Sequence, residues 1–332
     1  MKTCVIFGGT GFIGSHLALY LINNQLADHV VLADIKPIRS DFTFDSSKVS
    51  YANIDVRTPI SAWNLPASVD LIANFAAVHR EPGHESHEYY ETNLPGADNV
   101  CAWAEKVGCN SIIFTSSIAP YGPSEAEKTE ESIPTPVSAY GGSKLAAEKI
   151  HMAWQKADQT RRLVIVRPGV VFGPGEGGNV TRLVKATLKR YFFYMGNRST
   201  RKSGGYVKEL VNTMWWALNE KVPATGGSFL YNFTMKPPSV EEYVNATCQV
   251  AGVSRFVPSI PYRLLLIGSY LVEAVTRPFG ISTPISPVRI KKLVRSNNIQ
   301  PYVLTKEKYP FKYTLETAFA DWKNDRPNDW KA

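Results

Sequence analysis

The 332-residue chain is 44% hydrophobic and 20% charged, enough apolar material for one large or two closely joined domains and too ordinary a charge content for disorder. Its net charge of +8 gathers in two late stretches, Arg182 to Lys208 and Arg289 to Arg295, which leaves nucleic acid, a membrane surface and a small anion as partners to weigh. Four scattered cysteines without ligand-like spacing, no signal-peptide pattern after Met1-Lys2 and no apolar run of about 20 residues predict a reduced, cytoplasmic protein with no spanning helix.

In chain order the elements alternate. "TCVIF" reads as a strand and is followed by a helix from about Phe12; "HVVLAD", "VSYANID" and "VDLIANFAA" are further strands, and a helix follows from about Glu88 to Lys106. "SIIFTSS" is the next strand, then a helix at Tyr140 to Gln155, then "RLVIVRP". Near-continuous apolar strands separated by helices predict a parallel sheet covered on both faces, a doubly wound α/β (Rossmann) core over residues 1–168. Residues 169–332 read mainly as a smaller substrate lobe, with a strand-like "SFLYNFT" and helices starting near Ser239, Pro261 and Ser286; some segments are expected to return to the main sheet.

The first turn is the strongest local signal. In "VIFGGTGFIGSH", Gly8, Gly11 and Gly14 sit between the first strand and first helix, where glycine permits a tight turn and lets backbone approach a pyrophosphate. The N–H groups of Phe12, Ile13 and Gly14 at the helix start are available to that anion. Asp34 ends the second strand twenty residues past Gly14, where a carboxylate holds a ribose 2′-hydroxyl and repels a 2′-phosphate; NAD is expected over NADP, with Lys36 and Arg39 nearby pulling the other way. Asp55 and Val56, ending the third strand, either border the adenine or form an ordinary turn.

"SAYGGSKLAAEK" sets Tyr140 and Lys144 one helical turn apart on one face. The two intervening glycines cost roughly 1 kcal/mol each against alanine. With Ser143, they are expected to leave room for a cofactor against the helix. A phenol becomes a useful base at neutral pH when a neighbouring ammonium favours its anion. Ser116 and Ser117 end the preceding strand, where a hydroxyl can bond the same substrate oxygen.

On these motifs the chain resembles the extended short-chain dehydrogenase/reductases, specifically the NAD-dependent sugar epimerase/dehydratase group, over almost its whole length. The resemblance implies a catalytic triad of Ser117, Tyr140 and Lys144, with Ser116 at the cofactor. It also implies a cofactor-side turn at Phe75, Ala76 and Ala77 in "NFAAVHR", and a structural role for Asn93. "RPGVVFGPG" would place Pro168 and Val170 against the nicotinamide. Dehydratases of the group carry Asp-Glu directly after the triad hydroxyl; here Ile118-Ala119 stand there, which favours epimerisation or keto reduction. His79 and Arg80 fall on the substrate side of the cofactor, and Asn179, Arg182, Arg201 and Lys202 fall where sugar epimerases hold the substrate pyrophosphate. His79, His84 and His87 lack the spacing and company of a zinc site, so no metal is expected.

"AAVHRE", "GGNVTRLVK", "YVKELV" and "LYNFTMKP" are similar to epimerases acting on N-acetylglucosamine joined through pyrophosphate to undecaprenol. The implied function is a 4-epimerase of a pyrophosphate-linked sugar on UDP or undecaprenol, in surface polysaccharide synthesis. The alternatives are a 4-keto reductase or dehydrogenase consuming external cofactor, and a non-catalytic NAD sensor. "IPYRLLLIGSYLVEAV" followed by "SPVRIKKLVRSN" reads either as a membrane-surface segment or as a core helix plus a solvated one. The basic stretches lack the interleaved aromatics of nucleic-acid modules, so no such polymer is expected. The resemblance further implies a homodimer through the helices near Glu88 to Lys106 and Tyr140 to Gln155.

Overall fold

The computed structural model describes residues 1–61, 65–81, 83–276, 287, 290 and 294–331. Seven strands form one parallel sheet: β1 (Thr3–Phe7), β2 (His29–Asp34), β3 (Val49–Asn53), β4 (Leu71–Asn74), β5 (Ser111–Thr115), β7 (Arg162–Pro168) and β11 (Gly227–Phe233), ordered β11-β7-β5-β4-β1-β2-β3. Alternate side chains divide between two cores, as period-two geometry requires. Cys4, Ile6, Leu32 and Val164 pack under α1 (Phe12–Asn23) and α5 (Val207–Trp216); Val5, Phe7, Ile112 and Ile165 pack under α2 (Ser86–Lys106) and α3 (Ala139–Ala157). Both faces are therefore dry, which is why the strands read as unbroken apolar runs.

The chain winds outward from β1 to β2 and β3, then crosses back to β4 on the other side of β1. That reversal opens a crevice at the carboxyl ends of β1 and β4, the place where doubly wound sheets hold ligands. Capping fixes the helices around it. Glu85 and Glu88 form a reciprocal capping box at α2, and Ser138 accepts from the Gly141 N–H at the start of α3.

"SFLYNFT" lies in β11, paired with β7 on the main sheet rather than within the smaller lobe. That lobe has its own core of Phe172, Val184, Tyr206, Tyr243, Phe319 and Trp322, drawn from β8 (Val170–Phe172), α4 (Asn179–Leu188), β10 (Gly204–Tyr206), α6 (Val240–Ala251) and the helix Leu315–Asp325. Short pairs tie its loops: β8 with β10, β9 (Tyr194–Met195) with β12 (Ser259–Ile260), and β6 (Ser124–Lys128) with β13 (Asn297–Ile299). α7 (Tyr262–Thr276) follows β12. The helix expected from Ser286, and Arg289, Lys291 and Lys292 of the second basic stretch, lie outside the described residues. No helix among the described residues is long and apolar enough to cross a membrane.

Candidate functional site

The glycine turn is shaped by contacts that a side chain would break. Gly8 has φ +72°, and a Cβ there would stand 2.6 Å from the Ala76 nitrogen, so the loops after β1 and β4 touch at the switch point. A Cβ on Gly14 would come within 2.7 Å of the Gly8 carbonyl oxygen, which is why α1 can start directly beneath the turn. Gly11 is the N-cap, no side chain caps α1, and its first turn holds no acid. Phe12, Ile13 and Gly14 thus begin a helix whose positive end is left to an external anion.

Asp34 lies at the end of β2, its Oδ1 accepting from the Lys36 N–H at 3.1 Å. Arg39 is bound at 2.9 and 2.7 Å to Asp41 and donates at 2.7 Å to the Gly175 carbonyl, so one of the two cations that could draw a 2′-phosphate is already engaged. Asp55 is paired with Arg57 at 2.6 Å, and Val56 is buried against α2, where a Cβ on Gly96 would meet it at 2.9 Å. The uncapped helix, the cradle closed to side chains and the unblocked ribose-side acid together fit a dinucleotide.

Opposite, α3 brings Tyr140 and Lys144 to the crevice. The Ser117 hydroxyl stands close enough to the Tyr140 phenol to favour its anion. Ser117 Oγ accepts from the Ala119 N–H at 3.1 Å, which leaves its own O–H free to donate. The Ile118 N–H donates at 3.1 Å to the Pro168 carbonyl, setting Pro168 beside this serine, and Val170 hydrogen-bonds the Ser203 carbonyl at 2.9 Å. Ser116 differs from expectation. It is buried and donates at 2.5 Å to Glu148, so its hydroxyl serves the protein interior.

The glycines of "YGGSK" need a correction too. A Cβ on Gly141 would sit 2.7 Å from the Ala119 carbonyl, and one on Gly142 2.5 Å from the Tyr90 hydroxyl. The space they keep is filled by protein, because residues one and two places after Tyr140 point away from its face. Ser143 is fully buried: its hydroxyl donates to the Tyr140 carbonyl at 2.9 Å and accepts from Asn93 Nδ2 at 2.9 Å. Asn93 also holds Val78 in both directions, at 2.9 and 3.1 Å, and so locks the Phe75–Ala77 turn to the tyrosine helix.

Burial pushes both reactive groups toward neutrality. It raises the Tyr140 phenol to about 12, against the influence of Ser117 and with help from Glu81 and Tyr89. It lowers the Lys144 amine to about 7, against the field of Glu148. Lys144 is 3% exposed, and its Nζ lies 4.5 Å over the Phe114 ring. Tyr140, by contrast, is crowded by protein yet partly reached by solvent, a combination that a cleft produces. Below Lys144, Glu148 is buried and accepts from Arg167 at 2.8 and 2.6 Å, while Arg167 donates at 2.6 Å to the Tyr121 hydroxyl. The sequence reading missed this pair; the signals were an arginine inside the apolar "RLVIVRP" and a glutamate one turn beyond the lysine.

The substrate-side residues form separate groups. His79 and Arg80 are exposed on the loop after β4, and the Arg80 carbonyl accepts from Tyr89 at 2.5 Å. Asn179 and Arg182 are exposed in the first turn of α4 and joined at 2.7 Å. Arg201 donates to the Pro237 carbonyl and Lys202 to the Arg295 carbonyl, each at 2.6 Å. His84 pairs with Glu88 at 3.1 Å; among the described residues no three metal-ligating side chains cluster.

A dinucleotide fold whose crevice ends on a phenol, a hydroxyl and an amine marks an enzyme class that moves hydride and proton at a carbinol carbon. The chain belongs to the NAD dependent epimerase/dehydratase family, whose profile matches residues 4–230, and NAD is its cofactor. It is 29% identical to the N-acetyl-α-D-glucosaminyl-diphospho-ditrans,octacis-undecaprenol 4-epimerase of Escherichia coli O157:H7, over 94% of this chain and 91% of that one. It is 25% identical to the decarboxylating sterol-4-α-carboxylate 3-dehydrogenase of Candida albicans, over 98% of each chain. The structure of UDP-glucuronic acid 4-epimerase from Bacillus cereus in complex with NAD superimposes with a TM-score of 0.72 at 19% identity, over 100% of each chain.

Proposed function

We propose that this protein is a 4-epimerase that interconverts the gluco and galacto forms of an amino sugar held through pyrophosphate on undecaprenol or UDP. The observation that carries the reading is the placement of Tyr140 one helical turn from the buried Lys144 on α3, with Ser117 close enough to act on the phenol. Tyr140 takes the proton of the sugar 4-hydroxyl and returns it. Ser117 donates to the same oxygen, and Lys144, when protonated, stabilises the phenolate. Bound NAD supplies the hydride acceptor at carbon 4 and, oxidised, a positive charge that further favours the phenolate. Ile118 and Ala119 give water loss no acid or base next to Ser117.

Asn179, Arg182, Arg201 and Lys202 anchor the pyrophosphate, and His79 and Arg80 border the sugar, which must stay loose enough to present its other face. The undecaprenol carrier is favoured because two of the relatives aligned over nearly the full chain are named for lipid-borne or lipid substrates. Such a substrate would bring the enzyme to the cytoplasmic face of a membrane during surface polysaccharide synthesis, as a dimer paired through α2 and α3. A second reading, a dehydrogenase or 4-keto reductase, is favoured by the sterol dehydrogenase relative.

Purified enzyme is given N-acetylglucosamine on undecaprenyl diphosphate and, separately, on UDP, without added reduced cofactor. The galacto epimer is expected on the lipid carrier, with no net change in cofactor absorbance, and Tyr140→Phe is expected to lower the rate about 10³-fold. Product from neither substrate refutes the proposal; stoichiometric cofactor reduction supports the dehydrogenase.

A further inference from the structure

The outer face of α7 is apolar where a soluble helix should be polar. Leu264, Ile267, Leu271 and Val275 follow the spacing of one helical stripe and are between 58% and 66% exposed. Ser269 is buried on the opposite side, and Glu273, the helix's one acidic residue, follows it by one turn on that inward half. The segments that lead into the helix have a different chemistry. Arg263 is exposed at the start of the helix, and the β9–β12 pair that feeds α7 is preceded by Tyr191 and Phe256, 63% and 92% exposed, next to Lys189, Arg190 and Arg255.

We propose that α7 lies in the surface of an anionic bilayer, its aliphatic stripe in the acyl boundary, Tyr191 and Phe256 at headgroup depth, and the flanking cations on lipid phosphates. The stripe offers roughly 400 Å² of apolar surface, about half of the roughly 800 Å² that each partner of a stable dimer contributes, so it is too small to be a dimer interface by itself. The inference rests on the lipid-carrier reading, to which it adds the surface that brings the cleft to a diphosphate whose prenyl tail is in the same bilayer.

The test is co-sedimentation of the full chain with vesicles of phosphatidylethanolamine and phosphatidylglycerol, and with phosphatidylcholine alone. Wild type is expected to pellet with the anionic vesicles. Ile267→Glu with Leu271→Glu is expected to lower that partition at least tenfold while leaving the melting temperature and turnover of a ten-carbon prenyl diphosphate sugar in solution unchanged. Arg263→Gln, a change the fold tolerates at an exposed site, is expected to weaken binding and flatten its salt dependence. Wild type remaining in the supernatant overturns the proposal, as does an equal partition of the double variant. A dimer that the double variant dissociates also overturns it and gives the face to a second copy. Vesicle binding without turnover of any undecaprenyl substrate leaves the surface standing and removes the carrier reading; turnover in detergent without vesicle binding does the reverse.

Discussion

Glu148 offers a test of the electrostatics beneath the proposed catalytic pair. Its buried carboxylate accepts from Ser116 at 2.5 Å and from Arg167 at 2.8 and 2.6 Å, one turn from Lys144 on α3. Glu148→Gln keeps the shape and removes the charge, leaving a guanidinium that is 5% exposed without its counterion. Breaking a buried pair from one side costs about 3–5 kcal/mol. At about 2–4 °C per kcal/mol for a domain of this size, the melting temperature should fall by roughly 10 °C in calorimetry. The same change removes the charge that lifts Lys144, already lowered by burial to about 7, so the alkaline limb of kcat/KM should move to lower pH. Arg167→Met should also destabilise but move that limb upward, because Glu148 then acts on Lys144 undiluted. Glu148→Leu with Arg167→Met should recover most of the stability, since an apolar pair of similar volume is often neutral or better, and keep the limb low. Unchanged melting and an unchanged limb in Glu148→Gln, or limbs that move the same way in the two single variants, would refute the reasoning.

Lys144→Met should stabilise the apoprotein while abolishing turnover: the folded amine titrates at about 7 and the unfolded one near 10.5, so the cost of burying the charge is full below pH 7 and fades as pH rises toward 10.5. Calorimetry should show the gain largest at pH 6 and smallest near pH 10. Burial holds His16 and His151 down to about 4, so both stay neutral in the fold while the unfolded chain protonates near 6.5. Stability should then fall as pH drops from 7 to 5 by up to about 2.7 kcal/mol per unit, and urea midpoints of His151→Gln should show a shallower slope. Gly141→Ala must displace the Ala119 backbone and should lower kcat at least tenfold, whereas Gly142→Ala meets only the movable end of a Tyr90 side chain that is 41% exposed, and should be neutral or up to about 1 kcal/mol more stable by chemical denaturation. Equal effects of the two substitutions would show that the close approach is unimportant.

The central strands and the glycine turn could be read in the sequence because their causes are local: apolar runs end where a positive φ or a helix start demands glycine. What depends on partners was not legible. "SFLYNFT" has a strand pattern, but nothing in it says that β7 is its neighbour. β6, "SEAEK", has no strand pattern at all and pairs only because β13, far along the chain, reaches it. The glycines after Tyr140 read as room for a cofactor, and the atoms that approach them belong instead to α2 and the loop after β5. Ser116 and Ser117 are adjacent hydroxyls, and the alternation at a strand end sends one to Glu148 and the other to Tyr140.

The inward face of α3 therefore works as a column. Tyr140, Lys144, Glu148 and His151 follow one another at steps of three or four residues, from a solvent-reached phenol to a fully buried imidazole whose Nε2 lies 3.2 Å from Asn74 Nδ2. If Glu148 were alone, a carboxylate one turn away in a dry interior would hold Lys144 firmly protonated. Here burial outweighs the field of Glu148, whose carboxylate is also bound by Arg167, and the amine titrates near neutrality. An amine balanced there responds strongly to a cation or a hydroxyl brought into the crevice, which a lysine fixed at its ordinary value would not. On the proposed mechanism, the buried ion pair, which adds little to stability by itself, sets how readily the phenol above it gives and takes a proton.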